Sequence, residues 1–355
     1  MSNAQNLTAS QRAANFAQAT RQNMQMLASQ STNVGATSLQ FNLPKARLLA
    51  SILVNVELKV NATGTGSIPY RVEDIHNIIR RWSLDLNNGF SPFVIGGKEL
   101  YFLNLLRGNK GLAEMMYDGK SYADIRSHTL TITANTTGHE NTIKFAVELP
   151  VTLNDRDSVG LILLQNEQTN VQLVADIGNI GDCIHDDDID VEMVSLKLTP
   201  MITTYSIPAS AEAFPDLSVL KLVNSRQDSF VGAGQHIIKL STGTIYRRML
   251  FRLTDENGNA FDTKDINGDI QLVFNQADVP YSINAETLRT LNRMWLGYEL
   301  PFGLFMFDFS YQGIANMGGT RDYIDSANVS EFWIRFNSTK GGKFELVTET
   351  LARLQ

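Results

Sequence analysis

Between residues 46 and 66 the chain reads ARLLASILVNVELKVNATGTG, where apolar residues alternate with Leu53, Asn55, Glu57 and Lys59 and a Gly-rich turn closes the run. A period of two predicts a strand with one buried face. Comparable short patterns continue to about residue 205: IIRRWSLDL ahead of Asn87-Asn88-Gly89, HTLTITANTTG, TIKFAVELPVTL, VQLVADIG and IDVEMVSLKLTPMITTY. A second series follows, with HIIKL, TIYRRMLFRLTDENGN, DIQLVFN, LFMFDFSYQG, EFWIRFN and KFELVTETL. Strands at such spacing predict sandwiches or barrels. One helical pattern interrupts each series, KELYFLNLLRGNKGLAEMMYDG in the first and INAETLRTLNRMWLGY in the second, the latter with a buried stripe of Leu288, Leu291 and Trp295.

Ahead of the first series, ASQRAANFAQATRQNMQMLASQ (residues 9–30) has helix-forming composition, with Ala13, Phe16, Ala17, Thr20, Met24 and Leu27 in one narrow stripe. Thr8 to Gln11 forms a candidate capping box, and SQSTNVGATS ends the pattern. So narrow a stripe predicts an amphipathic helix lying on a surface as an appendage. The expected organisation is a helical arm over 1–40, a first β-domain over 41–205, a linker over 206–216 (SIPASAEAFPD), a second β-domain over 217–346 and a tail over 347–355. Deleting residues 1–30 is then expected to leave the rest folded but to impair assembly or vesicle binding. The halves also echo each other, each placing a helix before a Glu-Leu-Pro triplet, at 148–150 and 299–301.

Length and composition refine this picture. A chain of 355 residues suits two cores, and 43% hydrophobic with 19% charged residues is a globular composition. The lone cysteine, Cys183, cannot form an intrachain disulfide. No apolar run approaches the roughly 20 residues that span a bilayer and no signal-peptide core is visible, which predicts a protein kept in the cytosol or in a particle assembled there. Residues 1–50 carry Arg12, Arg21, Lys45 and Arg47 and no acid, so this part is +4 and the remainder −11 of the net −7. An acidic bulk argues against sequence-specific nucleic-acid binding, while a cationic amphipathic arm suits an anionic surface, either lipid headgroups or packaged nucleic acid, or a neighbouring subunit.

Catalytic signatures are missing. Gly97-Lys98-Glu99 lacks the Ser/Thr of a phosphate loop, and no His-Glu-X-X-His or Gly-X-Ser-X-Gly occurs. The densest acidic run, GDCIHDDDIDVE, offers Asp186, Asp187, Asp188 and Asp190 as weak metal candidates, but its spacing is not that of a calcium loop and a solvated loop is the plainer reading. DTKDINGD (262–269) has a partial calcium spacing and reads as a hairpin turn, as does Asn257-Gly258. Trp82, Trp295 and Trp333 each sit in apolar patterns and read as core. No cofactor is expected.

The order of these segments resembles the major capsid proteins of tectiviruses, membrane-containing icosahedral phages, in the form found in phages of Gram-positive hosts. The resemblance covers nearly the whole chain: the Gln/Ala-rich N-terminal helix, VEDIHNIIRRWSLDLNNG, KELYFLNLLRGNKGLAEMMYDG, VELPVTLNDRDSVGLILLQNEQTNVQLVADIG, FPDLSVLKLVNS and YELPFGLFMFDFSYQG. It implies an all-β double jelly roll, two tandem eight-stranded sandwiches with short helices in loops. It also implies a homotrimeric, pseudo-hexagonal tile of an icosahedral shell in the virion, assembled in the host cytoplasm, with neighbouring trimers and minor capsid proteins as partners and no enzyme activity. The N-terminal helix would face an internal viral membrane, with Arg12 and Arg21 at lipid phosphates and Phe16, Met24 and Leu27 against lipid or a neighbouring subunit. The alternatives are a jelly-roll carbohydrate-binding or receptor-binding spike protein, and a monomeric peripheral membrane protein using the same arm.

Overall fold

A computed structural model describes residues 9–87, 89–107, 129–153, 158–165, 170–184, 186–310 and 323–353. It contains two compact units, the first ending at Lys221 and the second running from Leu222 to Arg353. This boundary lies beyond the expected 206–216 linker, which belongs to the first unit and holds a short 3-10 turn, Ala211–Ala213.

In the first unit helix α1 (Ala9–Ala19) leads into strands β1 (Gln22–Met26), β2 (Gln30–Thr32), β3 (Ser38–Asn42), β4 (Leu48–Thr63), β5 (Gly66–Arg71), β6 (Ile79–Leu86) and β7 (Phe90–Ile95). Helix α2 (Gly97–Arg107) follows, then β8 (Thr129–Ala134), β9 (His139–Pro150), β10 (Ile162–Leu163), β11 (Val171–Ile177) and β12 (Asp190–Tyr205). One sheet places β1 and β2 beside β12, then β4, then β9, with β10 on the start of β4. The other runs β3, β11, β6, β7, and β5 with β8 makes a separate two-stranded ribbon. Counting β1 and β2 as one strand and setting aside β5, β8 and β10, the two sheets have the order 1-8-3-6 and 2-7-4-5. That is a jelly roll. Strand β4 behaves as its period demands: Ile52, Val54, Val56, Leu58 and Val60 point into the core while Leu53, Asn55, Glu57 and Lys59 face outward. Each such aliphatic side chain contributes about 1.5–3 kcal/mol on burial.

The second unit repeats the order. Its strands are β13 (Val219–Phe230, which begins at the boundary), β14 (Gly234–Leu240), β15 (Ile245–Thr254), β16 (Ile266–Phe274) and β17 (Asp278–Asn284). Helix α3 (Ala285–Leu296) is followed by β18 (Leu304–Asp308), β19 (Ile324–Asp325), β20 (Phe332–Ser338) and β21 (Gly342–Arg353). Setting aside the short β19, β13-β21-β15-β18 is again 1-8-3-6 and β14-β20-β16-β17 is 2-7-4-5. Phenylalanines fill this core, with Phe251, Phe305, Phe332, Phe336 and Phe344 all buried. Helix α3 is delimited as its sequence dictates: the Asn284 side chain accepts from Thr287 N–H (2.8 Å) and Gly297 takes a left-handed φ of 75°.

Four expectations change. The N-terminal helix stops at Ala19, and Gln22–Met26 and Gln30–Thr32 are strands paired with β12, so the segment assigned to an appendage supplies the first strand of the first jelly roll. Residues from 347 onward are no tail, since Val347 to Leu351 pair with β15 in the eighth strand. DTKDINGD is a capped 3-10 turn (Thr263–Asp265) entering β16, where Gly268 has φ 77° and the register shifts. The two Glu-Leu-Pro triplets are not equivalent, because 148–150 ends β9 whereas 299–301 precedes β18. Of the expected helix over 98–119, residues 108 onward lie outside the described residues.

Candidate assembly surfaces

The five residues expected to make the contacts of one helical arm, Arg12, Phe16, Arg21, Met24 and Leu27, are separated by the fold. Phe16, 3% exposed, packs with Leu48, Ala50 and Leu161 and meets the Tyr205 ring edge-on at 5.4 Å. It is a core residue and not a lipid-facing one. Helix α1 ends where Thr20 N–H and Oγ1 both donate to the Phe16 carbonyl (3.0 and 2.7 Å). Arg21 N–H then donates to Ser206 Oγ, and Ser206 N–H returns a bond to the Arg21 carbonyl, both at 2.9 Å. From there β1 is in register with β12, Met24 opposite Thr203 and Met26 opposite Met201. Arg12 and Arg21 are exposed, Met24 and Met26 are 60% and 52% exposed, and Leu27 is half-buried.

A cross-strand row on the outer face of the β1-β12-β4-β9 sheet links Met26, Met201, Leu53 and Glu148. Further along the same face the side chains are charged and neutralise one another: Lys59 Nζ lies 3.0 Å from Glu140 and Lys144 Nζ 3.8 Å from Glu57. The ends of the first unit also differ in charge. Arg12, Arg21, Lys45 and Arg47 gather near the start of β4 and the end of β12, with Glu212 and Asp216 on the neighbouring segment. Asp186, Asp187, Asp188 and Asp190 gather at the start of β12, about 50 Å away at ~3.3 Å per strand residue. Asp188 N–H donates to Asp186 Oδ1 in a local turn (3.0 Å) and Asp190 opens β12 opposite Thr63. Nearby, the hydrogen bond from Arg80 holds the Asp182 carboxyl below its ordinary pKa. Among the described residues no group of three or more His, Cys, Asp or Glu is placed to hold a metal ion, and no helix is long and apolar enough to cross a membrane.

The histidines stand apart. His76 is buried between Tyr101 (4.5 Å, stacked) and Phe145 (4.3 Å), and burial pushes its pKa down to about 3, leaving a neutral core imidazole. His236 lies between Phe230 and Phe336 with Nε2 2.9 Å from Ser338 Oγ, and His139 is exposed at the start of β9. His128 and His185 lie outside the described residues. Trp82 is buried as expected, whereas Trp295 and Trp333 are half-buried on α3 and β20.

Two buried polar features have no counterpart in the sequence reading. Across β15, β21 and β18, Arg248 meets Asp308 (2.8 Å) and Glu349 (3.6 Å), Arg247 meets Glu349 (3.5 Å) and Arg252 meets Glu345 (3.6 Å). Three arginines in the otherwise apolar YRRMLFRLT are the visible signal. The second feature is a pair of buried asparagines, Asn104 on α2 and Asn292 on α3. The Asn104 carboxamide donates to the Glu148 carbonyl (2.7 Å) and accepts from Glu148 N–H (2.8 Å). The Asn292 carboxamide does the same at Met306, at 2.9 and 3.0 Å.

No protein-family model matches this chain, and no curated protein sequence does. Solved structures do. The STIV MCP crystal structure aligns over 94% of this chain and 97% of its own, with TM-score 0.70 and 13% identity. The quasi-atomic PBCV-1 virus capsid aligns over 94% of both chains (TM-score 0.64, 8% identity). The major capsid protein P2 from Bacteriophage PM2 aligns over 94% of this chain and 98% of its own (TM-score 0.57, 10% identity). The likeness shows the fold: an all-β double jelly roll.

Proposed function

We propose that this chain is a viral major capsid protein of the tectivirus type, a structural subunit without enzyme activity that acts in the virion. The observation carrying this reading is the duplication itself: two successive units with the same eight-strand order, on a fold matched end to end by capsid proteins of three viruses. A jelly roll leaves its flanks free to mate while its end loops vary, so repeated modest contacts suffice to build a shell. In this reading three copies close into a pseudo-hexagonal tile through a heterologous interface, one flank of the chain against the other, and tiles meet neighbouring tiles and minor capsid proteins. Light scattering on the purified protein should find a species of about three times 39.5 kDa. A strict monomer at high concentration overturns the tile.

The basic end of the first unit is the surface we assign to an internal viral membrane. Exposed Arg12 and Arg21 supply charge to anionic headgroups, and exposed Met24, in the strand that follows Arg21, supplies apolar contact. Each such cation contributes about 1 kcal/mol at an anionic surface, so Arg12→Gln with Arg21→Gln is expected to weaken binding to phosphatidylglycerol vesicles roughly thirtyfold. Both side chains are exposed, so the melting temperature should hold. Unchanged vesicle affinity removes this end from the membrane.

A further inference from the structure

The sheet orders place β9 and β18, the sixth strand of each unit, at a sheet edge: each pairs on one side only, with β4 and β15, among the described residues. Exposed strand edges are templates for adding a further strand from another chain. At Glu148 and Met306 the outward N–H and C=O are not left open. A helix from the segment between the fifth and sixth strands lies against the edge, and a single carboxamide satisfies both groups at once, with Asn104 2% and Asn292 0% exposed. The two clamped residues are equivalent in a second respect. Glu148 is opposite Leu53 of β4 and Met306 is opposite Leu250 of β15, in the third strand of each jelly roll.

We propose that Asn104 and Asn292 are equivalent edge locks: each pins a helix over the sixth strand of its sandwich and keeps a second copy of this chain from extending the sheet there. An asparagine suits the task because its amide presents one donor and one acceptor in the plane that a neighbouring strand residue would use. It therefore mimics a partner strand for one residue and ends the sheet. For the coat reading on which its use rests, this confines association to the flanks and denies it the open-ended growth of edge-to-edge pairing.

The test uses the full chain carrying Asn104→Leu or Asn292→Leu. Amide exchange at Glu148 in the first variant and at Met306 in the second is expected to rise about tenfold or more, with cooperative melting retained. A labelled peptide of residues 139–150 (HENTIKFAVELP) is expected to bind Asn104→Leu and not the wild type. Unchanged exchange in both variants, or equal binding to the wild type, overturns the proposal. Where a leucine variant does not fold, the wild type decides: Glu148 and Met306 amides must exchange as slowly as those of Leu53 and Leu250, and exchange as fast as the free edge of β1 overturns it. These readings are taken on whatever oligomer the chain forms, so a failed capsid assignment, seen as a strict monomer, is distinguishable from a failed lock.

Discussion

Glu349→Ala is expected to lower the stability of the second sandwich by about 3–5 kcal/mol, read as a fall in the urea midpoint at unchanged slope. The side chain is fully buried, with one carboxylate oxygen 3.5 Å from Arg247 and the other 3.6 Å from Arg248. Removing it leaves two guanidinium groups, 8% and 16% exposed, short of a counter-charge; Arg248 keeps Asp308 at 2.8 Å. Desolvated charge without a partner is the costly state, more than the lost attraction itself. Glu349→Gln, which retains a polar partner of the same shape, should recover part of the loss. A cost near or below about 1 kcal/mol for the alanine variant would place this cluster with ordinary surface ion pairs and contradict the burial.

Removing residues 1–30 is expected to abolish folding of the first sandwich, where the sequence alone points to a dispensable arm. The deletion strips β1 from β12 and takes Phe16 out of its contacts with Leu48, Ala50, Leu161 and Tyr205. Truncating a buried phenylalanine costs about 3–5 kcal/mol by itself, a large share of the 5–15 kcal/mol by which domains are stable. With the first strand gone as well, the truncated protein should be recovered insoluble or without a cooperative melt. Phe16→Ala separates the contributions: it should fold, with a melting temperature lowered by several degrees. A soluble, cooperatively melting deletion variant would return the segment to the status of an appendage.

Why that segment misleads is physical. Gln22–Met26 is built mainly of Gln and Met, both good helix formers, and in an edge strand mostly open to solvent no alternation marks the buried side. Long central strands are legible for the opposite reason. Strand β4 is covered on one face only, so its sequence records its burial residue by residue. Helix α3 is legible from its cap and its terminal Gly297, but its buried residues are Ala285, Leu288 and Asn292, and of the expected stripe Leu291 and Trp295 are only half-buried. The true register of the duplication stayed hidden because the spacing from Asn to the clamped strand residue is 44 in the first unit and 14 in the second. The matching Glu-Leu-Pro triplets fall at positions that do not correspond, one ending β9 and the other preceding β18. The surface residues suffered likewise: Arg12 and Phe16 share a helix but not an environment, and only tertiary packing tells them apart.

The separation of basic and acidic residues along β12 makes the first unit an elongated electric dipole. In the proposed shell, copies standing alongside one another in a common sense would set like pole beside like pole, so that growth of such a lattice would work against its own field. Dissolved ions shorten the reach of that repulsion to about 8 Å at physiological ionic strength. Under that proposal the composition of the surrounding electrolyte would set when subunits remain dispersed and when they condense.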